Sequence, residues 1–553
     1  MSGQLTARDQ KEIERLRSEH PDYKDQKDKW RFYLLSYEGG PDYVSEDTLF
    51  RHQREHQEDY RDRLQRAYYT NYCQALVDFV PEFIYSQGVA RQAPEKLKPI
   101  FDNFKKNVDR SGTALDAFVE GVAEEARIFG HTWVGVDLPP RPVDEEGEVL
   151  SLARAEQLGL TTPYFYHVRP LEVLDWVTDQ FGHYLYMKRR EIYWEKAGPR
   201  KGFRHIERYT EWYDDVVVVS KIDITDNDHE KLLPKTKQPN VWGLIPFVQF
   251  FYKRSKFNKD FGVSFLTDLA YQNRAVFNQT SYLEEFLARQ CFNVLAMEKD
   301  TNIPTRDRGD QRIGTSNVIW IPREAKHPPQ YVSPPVEPAA FIQDERTNTI
   351  QEMYRQAAQD ILSEFFGKGG APSADAQKQA FSRTIPMIAK QADMMQSSEN
   401  SLWAVWSKLQ NKKWDDGVIS YRDDYGITNL QDLLLQLSTI FNNLKVLPPT
   451  FIRAEWKRII QEFDGKLSTE DKNKAFAEID ALSDEEIVMG YRLADVKATD
   501  GVPSTANLTQ GAMQKTLGTD KKIAMKTGSR AATKEANPDS NRRATKAKAA
   551  KKT

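Results

Sequence analysis

LTDLAYQNRAVFNQTSYLEEFLARQCFNVLAM, residues 266–297, decides the fold. Leu269, Val276, Leu283, Leu287 and Val294 recur at intervals of four or seven residues, and Asn, Gln, Arg and Glu fill much of the space between them. That spacing predicts one long helix over 266–297, roughly 45 Å at 1.5 Å per residue, with a narrow apolar stripe. Asn273 and Thr280 interrupt the stripe. So thin a stripe does not bury a helix inside a globule. The expectation is packing against one or two neighbours, copies of the same helix among them; an ordinary bundle helix is the alternative.

Downstream, IPTRDRGDQRIGTSNVIWIPREAKHPPQYVSPPVEP (303–338) combines a polar loop bearing Arg306, Asp307, Arg308, Asp310 and Arg312 with a strand, SNVIWIP, and a proline-rich stretch that cannot be helical. A second helix is expected over 339–366. Its Asp344, Glu345, Glu352, Asp360 and Glu364 outnumber Arg346 and Arg355, so two long helices flank a compact β insert. GKGGAPSAD (367–375) follows, with Gly367, Lys368, Gly369 and Gly370, then Ser373 as N-cap of a third helix reaching about Gln410 and kinked at Pro386. A phosphate-binding loop needs G-x-x-x-x-G-K-[ST]; Lys368 sits between glycines with no hydroxyl after it, so the segment reads as a mobile loop presenting Lys368 or as a plain connection. KWDDGVISYRDDYGI (413–427) reads as a strand returning to an earlier sheet. The stretch over 428–490 reads as short helices, the last opened by a capping box of Ser483 and Glu486.

Upstream, 45–87 has helical periodicity, and its polar stretch contains HQREH, residues 52–56. His52, Glu55 and His56 match H-x-x-E-H, the inverted zinc-peptidase signature, in which imidazoles one helical turn apart hold the metal. An inverted zincin also supplies a distant Glu, and Trp133 stands at that position. Arg51, Arg54, Arg61 and Arg63 would repel a dication. The expectation is therefore a solvated or intersubunit helix face, with no metal, no cofactor and no catalytic residue. Residues 110–137 read as a helix capped by Gly130 and followed by a buried strand, TWVGVDL. From 164 to 254, alternating apolar and polar residues mark a series of strands, expected to form one mostly antiparallel sheet with flanking helices. The first 250 residues thus read as an α+β unit.

At 553 residues the chain is long enough for two to four packed units. No run approaches the roughly 18 apolar residues of a membrane span, and the N-terminus is too charged for a signal peptide. The only two cysteines, Cys73 and Cys291, exclude a disulfide framework and a CxxC site. The net charge of −3 conceals an asymmetry: 12 Lys and Arg against three acids over 514–553 give +9, leaving −12 elsewhere. Almost free of large apolar residues, that tail is expected to be disordered.

The order of these parts resembles the portal protein of tailed double-stranded DNA bacteriophages. YEGGPDYV, LFRHQREH and RAYYTNYC, then IPFVQFF before LTDLAYQNRAVFNQTSYLE, then IGTSNVIWIP and YVSPP carry the likeness, which runs from about Tyr37 to about Gln410. The resemblance implies a ring, typically of twelve subunits, at one capsid vertex of the virion, assembled in the host cytoplasm. It implies an N-terminal region and wing over 1–265, stem helices over 266–297 and 339–366, and a clip over 298–338. It further implies a tunnel loop over 367–375, a kinked helix and return strand over 376–427, a crown over 428–490 and a tail over 491–553. The five acids of the second helix would line the channel. Lys368 and its glycines would meet passing duplex DNA without reading sequence, and Arg306, Asp307, Arg308, Asp310 and Arg312 would contact the terminase large subunit. Head-completion or adaptor proteins and the major capsid and scaffolding proteins are the other implied partners. ATP hydrolysis would belong to the terminase.

Overall fold

The computed structural model describes residues 6–86, 88–139, 154, 160–198, 202–226, 230–290, 294–299, 318–322, 330–332, 337–357, 374–422, 425, 448–462 and 469–484. The chain divides into two units, Met1–Ile427 and Thr428–Thr553. In the first, helices α1 (Ala7–Arg17) and α2 (Pro21–Glu38) lead to α3 (Gln57–Arg66) and α4 (Tyr72–Ser86). Short strand β1 (Ala90–Gln92), α5 (Lys98–Phe104) and α6 (Leu115–Phe129) follow. The helix expected from 110 begins only at Leu115, because Asp109 ties the preceding turn by accepting from the Ser111 and Thr113 amides. Gly130 caps α6 at φ 91°, and β2 (His131–Asp137) starts at the next residue, almost wholly buried.

The expected single sheet is two sheets. β2 lies between β10 (Phe247–Phe251) and β3 (Tyr164–Val168), both antiparallel to it. The larger sheet runs β4 (Val173–Thr178), β5 (Tyr184–Lys196), β6 (Phe203–Tyr213), β7 (Val216–Asp223) and β8 (Lys231–Leu232), with β9 (Thr236–Pro239) also paired to β7. The 3₁₀ turn at Pro170–Glu172 separates β3 from β4, so the chain changes sheet where the alternation continues almost unbroken. The three-stranded sheet is a wall between two cores. Trp133, Val168 and Phe247 face a cluster with α1, α2 and the larger sheet, whereas Val134, Val136, Phe165, Val248 and Phe250 face α4, α5 and α6. Burial on both faces explains why β2 reads as a continuous apolar run rather than as an alternation. On the larger sheet, α1 is held by Arg15 to Glu211 at 2.8 Å and by Arg17 to Glu207 at 2.8 Å, while the Lys188 ammonium donates to the Ser18 carbonyl at 2.7 Å.

After β10 comes α7 (Leu266–Gln290), then β11 (Val294–Lys299), β12 (Val318–Pro322), β13 (Gln330–Val332) and α8 (Glu337–Gln356). The 32-residue helix expected over 266–297 is thus 25 residues long: Val294, Leu295 and Met297 belong to a strand that pairs with both β12 and β13. Extended β-sheet pairing overrides the helical spacing there, and 25 residues span about 38 Å. The expected β insert between two helices is present as the sheet β12–β11–β13. Helix α9 (Ala374–Leu409) runs 36 residues through Pro386, which cannot donate to the carbonyl four residues back. α9 closes the second core with Trp403 and Trp406 and carries β14 (Val418–Ser420) beside it. β14 is the return strand expected near 418, and its partner is β1: Ala90 faces Ser420 and Gln92 faces Val418.

In the second unit, α10 (Pro449–Glu462) and α11 (Thr469–Ala481) pack on each other, joined by Arg453 to Asp484 at 2.6 Å and Lys457 to Asp480 at 2.5 Å. The expected helix over 430–444, the Ser483–Glu486 box and the basic tail lie outside the described residues.

Candidate functional site

α7 and α8 pack side by side as an arm on either side of the three-stranded insert in the chain, α7 also packing against α2, α3, α4 and α6. Its root is the α6–β2 junction. The Ser264 hydroxyl accepts from the Leu266 amide at 2.9 Å and donates to the Ile128 carbonyl at 2.6 Å, tying the first turn of α7 to the last turn of α6. A Cβ on Gly262 would lie 1.8 Å from the Gly130 carbonyl oxygen, so the two backbones meet where only glycine fits. Beneath, Arg127 is fully buried: it donates to Gln391 at 2.7 Å and to the Leu76 carbonyl at 3.1 Å, and its guanidinium lies 3.8 Å from the Phe265 ring centroid. Burial pulls its pKa down to about 10, which leaves it charged at neutral pH. His131 beside it is buried among Trp30, Trp133 and Phe261, and burial holds its imidazole at about 3 and therefore neutral.

Segment 43–70 braces the first half of α7. Tyr43, Leu49 and Tyr60 bury Phe277, a contribution of about 2–3 kcal/mol for one such side chain. Asn278 acts as a peptide group turned sideways: its carbonyl accepts from the Phe50 amide at 2.8 Å and its amide donates to the Thr48 carbonyl at 2.9 Å. Asn273 donates to the Thr70 carbonyl and to the Tyr69 hydroxyl. Of the two residues that interrupt the apolar stripe, Asn273 is a point at which the brace is fastened, whereas the Thr280 hydroxyl donates within the helix to the Val276 carbonyl at 2.8 Å.

HQREH belongs to this brace and is not helical. Gln53 and Arg54 form a turn, α3 begins only at Gln57, and residues 67–71 separate it from α4, so the single helix expected over 45–87 is broken twice. The two histidines are thus not on one helical face, and Glu55 is already engaged. Its carboxylate accepts from Arg63 Nε at 2.7 Å and Nη2 at 2.8 Å, which holds it below the usual carboxylate range. Buried Arg63 also donates to Ser281 on α7 at 3.1 Å and to the Phe50 carbonyl at 2.8 Å, with the Tyr60 and Tyr282 rings 5.4 Å away. The arginine that argued against a metal at the sequence level is the carboxylate's partner. No group of three or more potential metal ligands occurs among the described residues.

Beyond Ser281 the cover ends. Arg66 pairs with Glu285 and the Tyr68 hydroxyl reaches Glu284 at 3.3 Å, but Tyr282, Leu287 and, across the arm, Phe341 remain open, Phe341 at 71% exposure. α8 lies alongside α7, with Gln279 donating to Thr349 at 3.5 Å, and its C-terminal end is rooted by Met353, Tyr354 and Ala357 in the first core. Of the acids expected to line a channel, Asp344 and Glu345 are exposed, and Glu352 is paired with Arg355 at 2.6 Å. Asp360, Glu364, the loop Gly367–Gly370 and the insert residues Arg306, Asp307, Arg308, Asp310 and Arg312 lie outside the described residues. Arg63, Asn278 and Ser264, which build the arm's root and brace, were missed from sequence; only Ser264, a hydroxyl two residues before a helix with Asp268 in its first turn, left a readable capping signal.

A second buried polar cluster fixes α9 to β1 and β14. The Glu399 carboxylate, without solvent contact, accepts from Arg91, from the Tyr421 hydroxyl at 2.7 Å and from Trp403 Nε1 at 3.0 Å, and Tyr421 meets the Tyr85 hydroxyl at 3.0 Å.

No family model and no curated protein matches this chain. Solved structures do, among them three chains from gene transfer agent particles. A chain of the virion of a native gene transfer agent particle is 11% identical with a TM-score of 0.37, covering 73% of this chain and 89% of that one. A chain from the neck of the empty particle computed with C6 symmetry is 10% identical with a TM-score of 0.37, covering 68% and 86%. A chain from the neck of the native particle computed with C12 symmetry is 10% identical with a TM-score of 0.36, covering 73% and 89%.

Proposed function

We propose that this chain is a portal protein: a ring-forming connector at one vertex of a phage-like capsid, through which duplex DNA enters and leaves. The observation that carries the reading is the arm. A pair of long helices rooted in the body, ending in a small sheet and bearing uncovered Tyr282, Leu287 and Phe341, is incomplete as a monomer. Identical arms side by side would cover these flanks through a heterologous contact, and such contacts close into rings. On this reading the exposed Asp344 and Glu345 face the conduit, where carboxylates repel phosphate and let DNA slide instead of binding it. The insert would be the docking platform for the terminase and afterwards for head-completion proteins, and the capsid and scaffolding proteins would surround the body. The chain itself would hydrolyse nothing.

The test is native mass measurement with negative-stain imaging of the purified full chain. The expected result is an annular particle whose mass is an integer multiple, near twelve, of the subunit. A single-copy species at high concentration overturns the reading.

A further inference from the structure

The loop between β10 and α7 presents Lys253, Arg254, Lys256 and Lys259 to solvent around Phe257, whose side chain is wholly exposed. The loop is nevertheless firmly built. Ser255 Oγ accepts from the Phe257 and Asn258 amides at 3.2 and 3.3 Å, the Val263 amide donates to the Lys253 carbonyl at 2.8 Å, and Asn258 donates to Asp22 of α2 at 2.9 Å. Lys259 donates to the Asp179 carbonyl at 3.0 Å, which brings up the β4–β5 turn with Phe181, 77% exposed. None of the four cations has a carboxylate partner among the described residues; Arg254 only covers the Phe251 ring. A rigid loop that holds an aromatic ring outward inside a ring of unpaired cations is a surface shaped for an acidic partner with an apolar centre.

The same chain carries the complementary surface. Asp78 and Glu82 on α4 and Glu120 and Glu124 on α6 stand together, and the described residues give Glu82, Glu120 and Glu124 no cation. Asp78 accepts from the Tyr37 hydroxyl at 2.9 Å and from Gln74, and feels Arg127 below it, whose own hydrogen bonds go to Gln391 and the Leu76 carbonyl. The two surfaces cannot neutralise each other within one copy. The basic loop is bonded to Asp22 in the first turn of α2 and the acidic face to Tyr37 in its last, 15 residues apart, or roughly 22 Å along that helix and far beyond a lysine's reach.

We infer that the Lys253–Lys259 loop, with Phe257 and Phe181, docks on the α4–α6 carboxylate face of a second copy of this chain. The inference rests on the ring reading and names a contact between its copies. Two different surfaces meeting head to tail repeat from copy to copy, as a closed ring requires.

The test uses the full chain and charge reversal. Lys256→Glu with Lys259→Glu, and separately Glu82→Lys with Glu120→Lys, change exposed or half-buried surface positions, and circular dichroism checks that each variant folds. Assembly is read by sedimentation and negative-stain imaging. Each reversed pair is expected to weaken association at least tenfold, and the combination of both pairs to restore it. If wild type assembles and either reversed pair assembles as well as wild type, or the combination fails to recover, this contact is wrong while the ring reading stands. If the loop variant instead loses only duplex-DNA retention, the surface is a nucleic-acid contact and the inference falls. A wild type that never assembles removes both.

Discussion

Glu124→Gln should stabilise this protein at alkaline pH and leave it unchanged in acid. Burial, then the negative charges of Asp78, Glu120, Glu82 and Glu125, push the Glu124 carboxyl from 4.5 up to about 7. A carboxylate raised in the folded state binds its proton more tightly folded than unfolded. The folded state therefore carries no penalty below about pH 4.5, loses stability as pH rises from 4.5 to 7, and carries the full penalty above 7. At about 1.4 kcal/mol per pH unit the ceiling is roughly 3 kcal/mol. Glu124 keeps some solvent contact, and screening reduces the expected effect to about 1–2 kcal/mol. Glutamine keeps the shape and removes the charge. Urea unfolding of wild type and variant at pH 4, 5.5 and 8, followed by tryptophan fluorescence, reads the difference. The expected gain is about 1–2 kcal/mol at pH 8, about half or less at pH 5.5, and none at pH 4. An equal gain at all three would show that shape rather than charge is responsible and would refute the reasoning.

Three further outcomes are expected. Glu399→Ala leaves buried Arg91 with only the exposed Asp116 carboxylate, Tyr421 with only the Tyr85 hydroxyl and the Trp403 indole with no acceptor, and should cost about 3–5 kcal/mol by denaturant unfolding; a loss under about 1 kcal/mol would contradict the pairing. Arg63→Ala releases Glu55, Ser281 and the Phe50 carbonyl together, so amide exchange over 45–70 and the middle of α7 should accelerate while the distant β1–β14 ribbon keeps its protection. Leu287→Glu with Phe341→Glu alters open positions on the arm; monomer stability should move by less than about 0.5 kcal/mol while particles disappear from negative-stain fields.

The parts legible in the sequence are those whose signals are local. Gly130 can cap α6 and start β2 because a left-handed residue is a one-residue property, and the strands after 164 show because alternation needs only a few neighbours. The β insert between two helices is readable from its prolines. What failed depends on distant partners. HQREH has helical composition, yet Glu55 leaves the helix to reach Arg63, and nothing within five residues records Ser281, over 200 positions away. Two sheets read as one because the change of sheet takes only the 3₁₀ turn at Pro170–Glu172. The stripe on α7 carries through into β11 because spacing alone does not tell a helix from a strand once Cys291–Asn293 have passed.

The thinness of that stripe has two causes, and they divide α7 near Ser281. Up to Ser281 the helix is fastened and covered inside the chain: Asn273 and Asn278 hold the brace, Phe277 is buried by it, and the apolar face of Leu266, Leu269 and Val276 is covered within the first core. This half needs no second copy. After Ser281 the brace narrows to Arg66 and Tyr68, and the apolar residues that remain are covered only in part: Tyr282, under Arg63, is 38% exposed, Leu287 52% and Phe341 71%. The exposed apolar surface, which the sequence spreads over the whole helix, is therefore concentrated at the arm's far half. Covering three such side chains gains about 1.5–3 kcal/mol each, which alone is too little to hold two free copies against the entropy of association. In the proposed ring the rest would come from closure, because each copy would be gripped on two sides and the last contact would close without a further loss of freedom. On that reading the arm would call for a neighbour, and contacts on the body would set how tightly it is held.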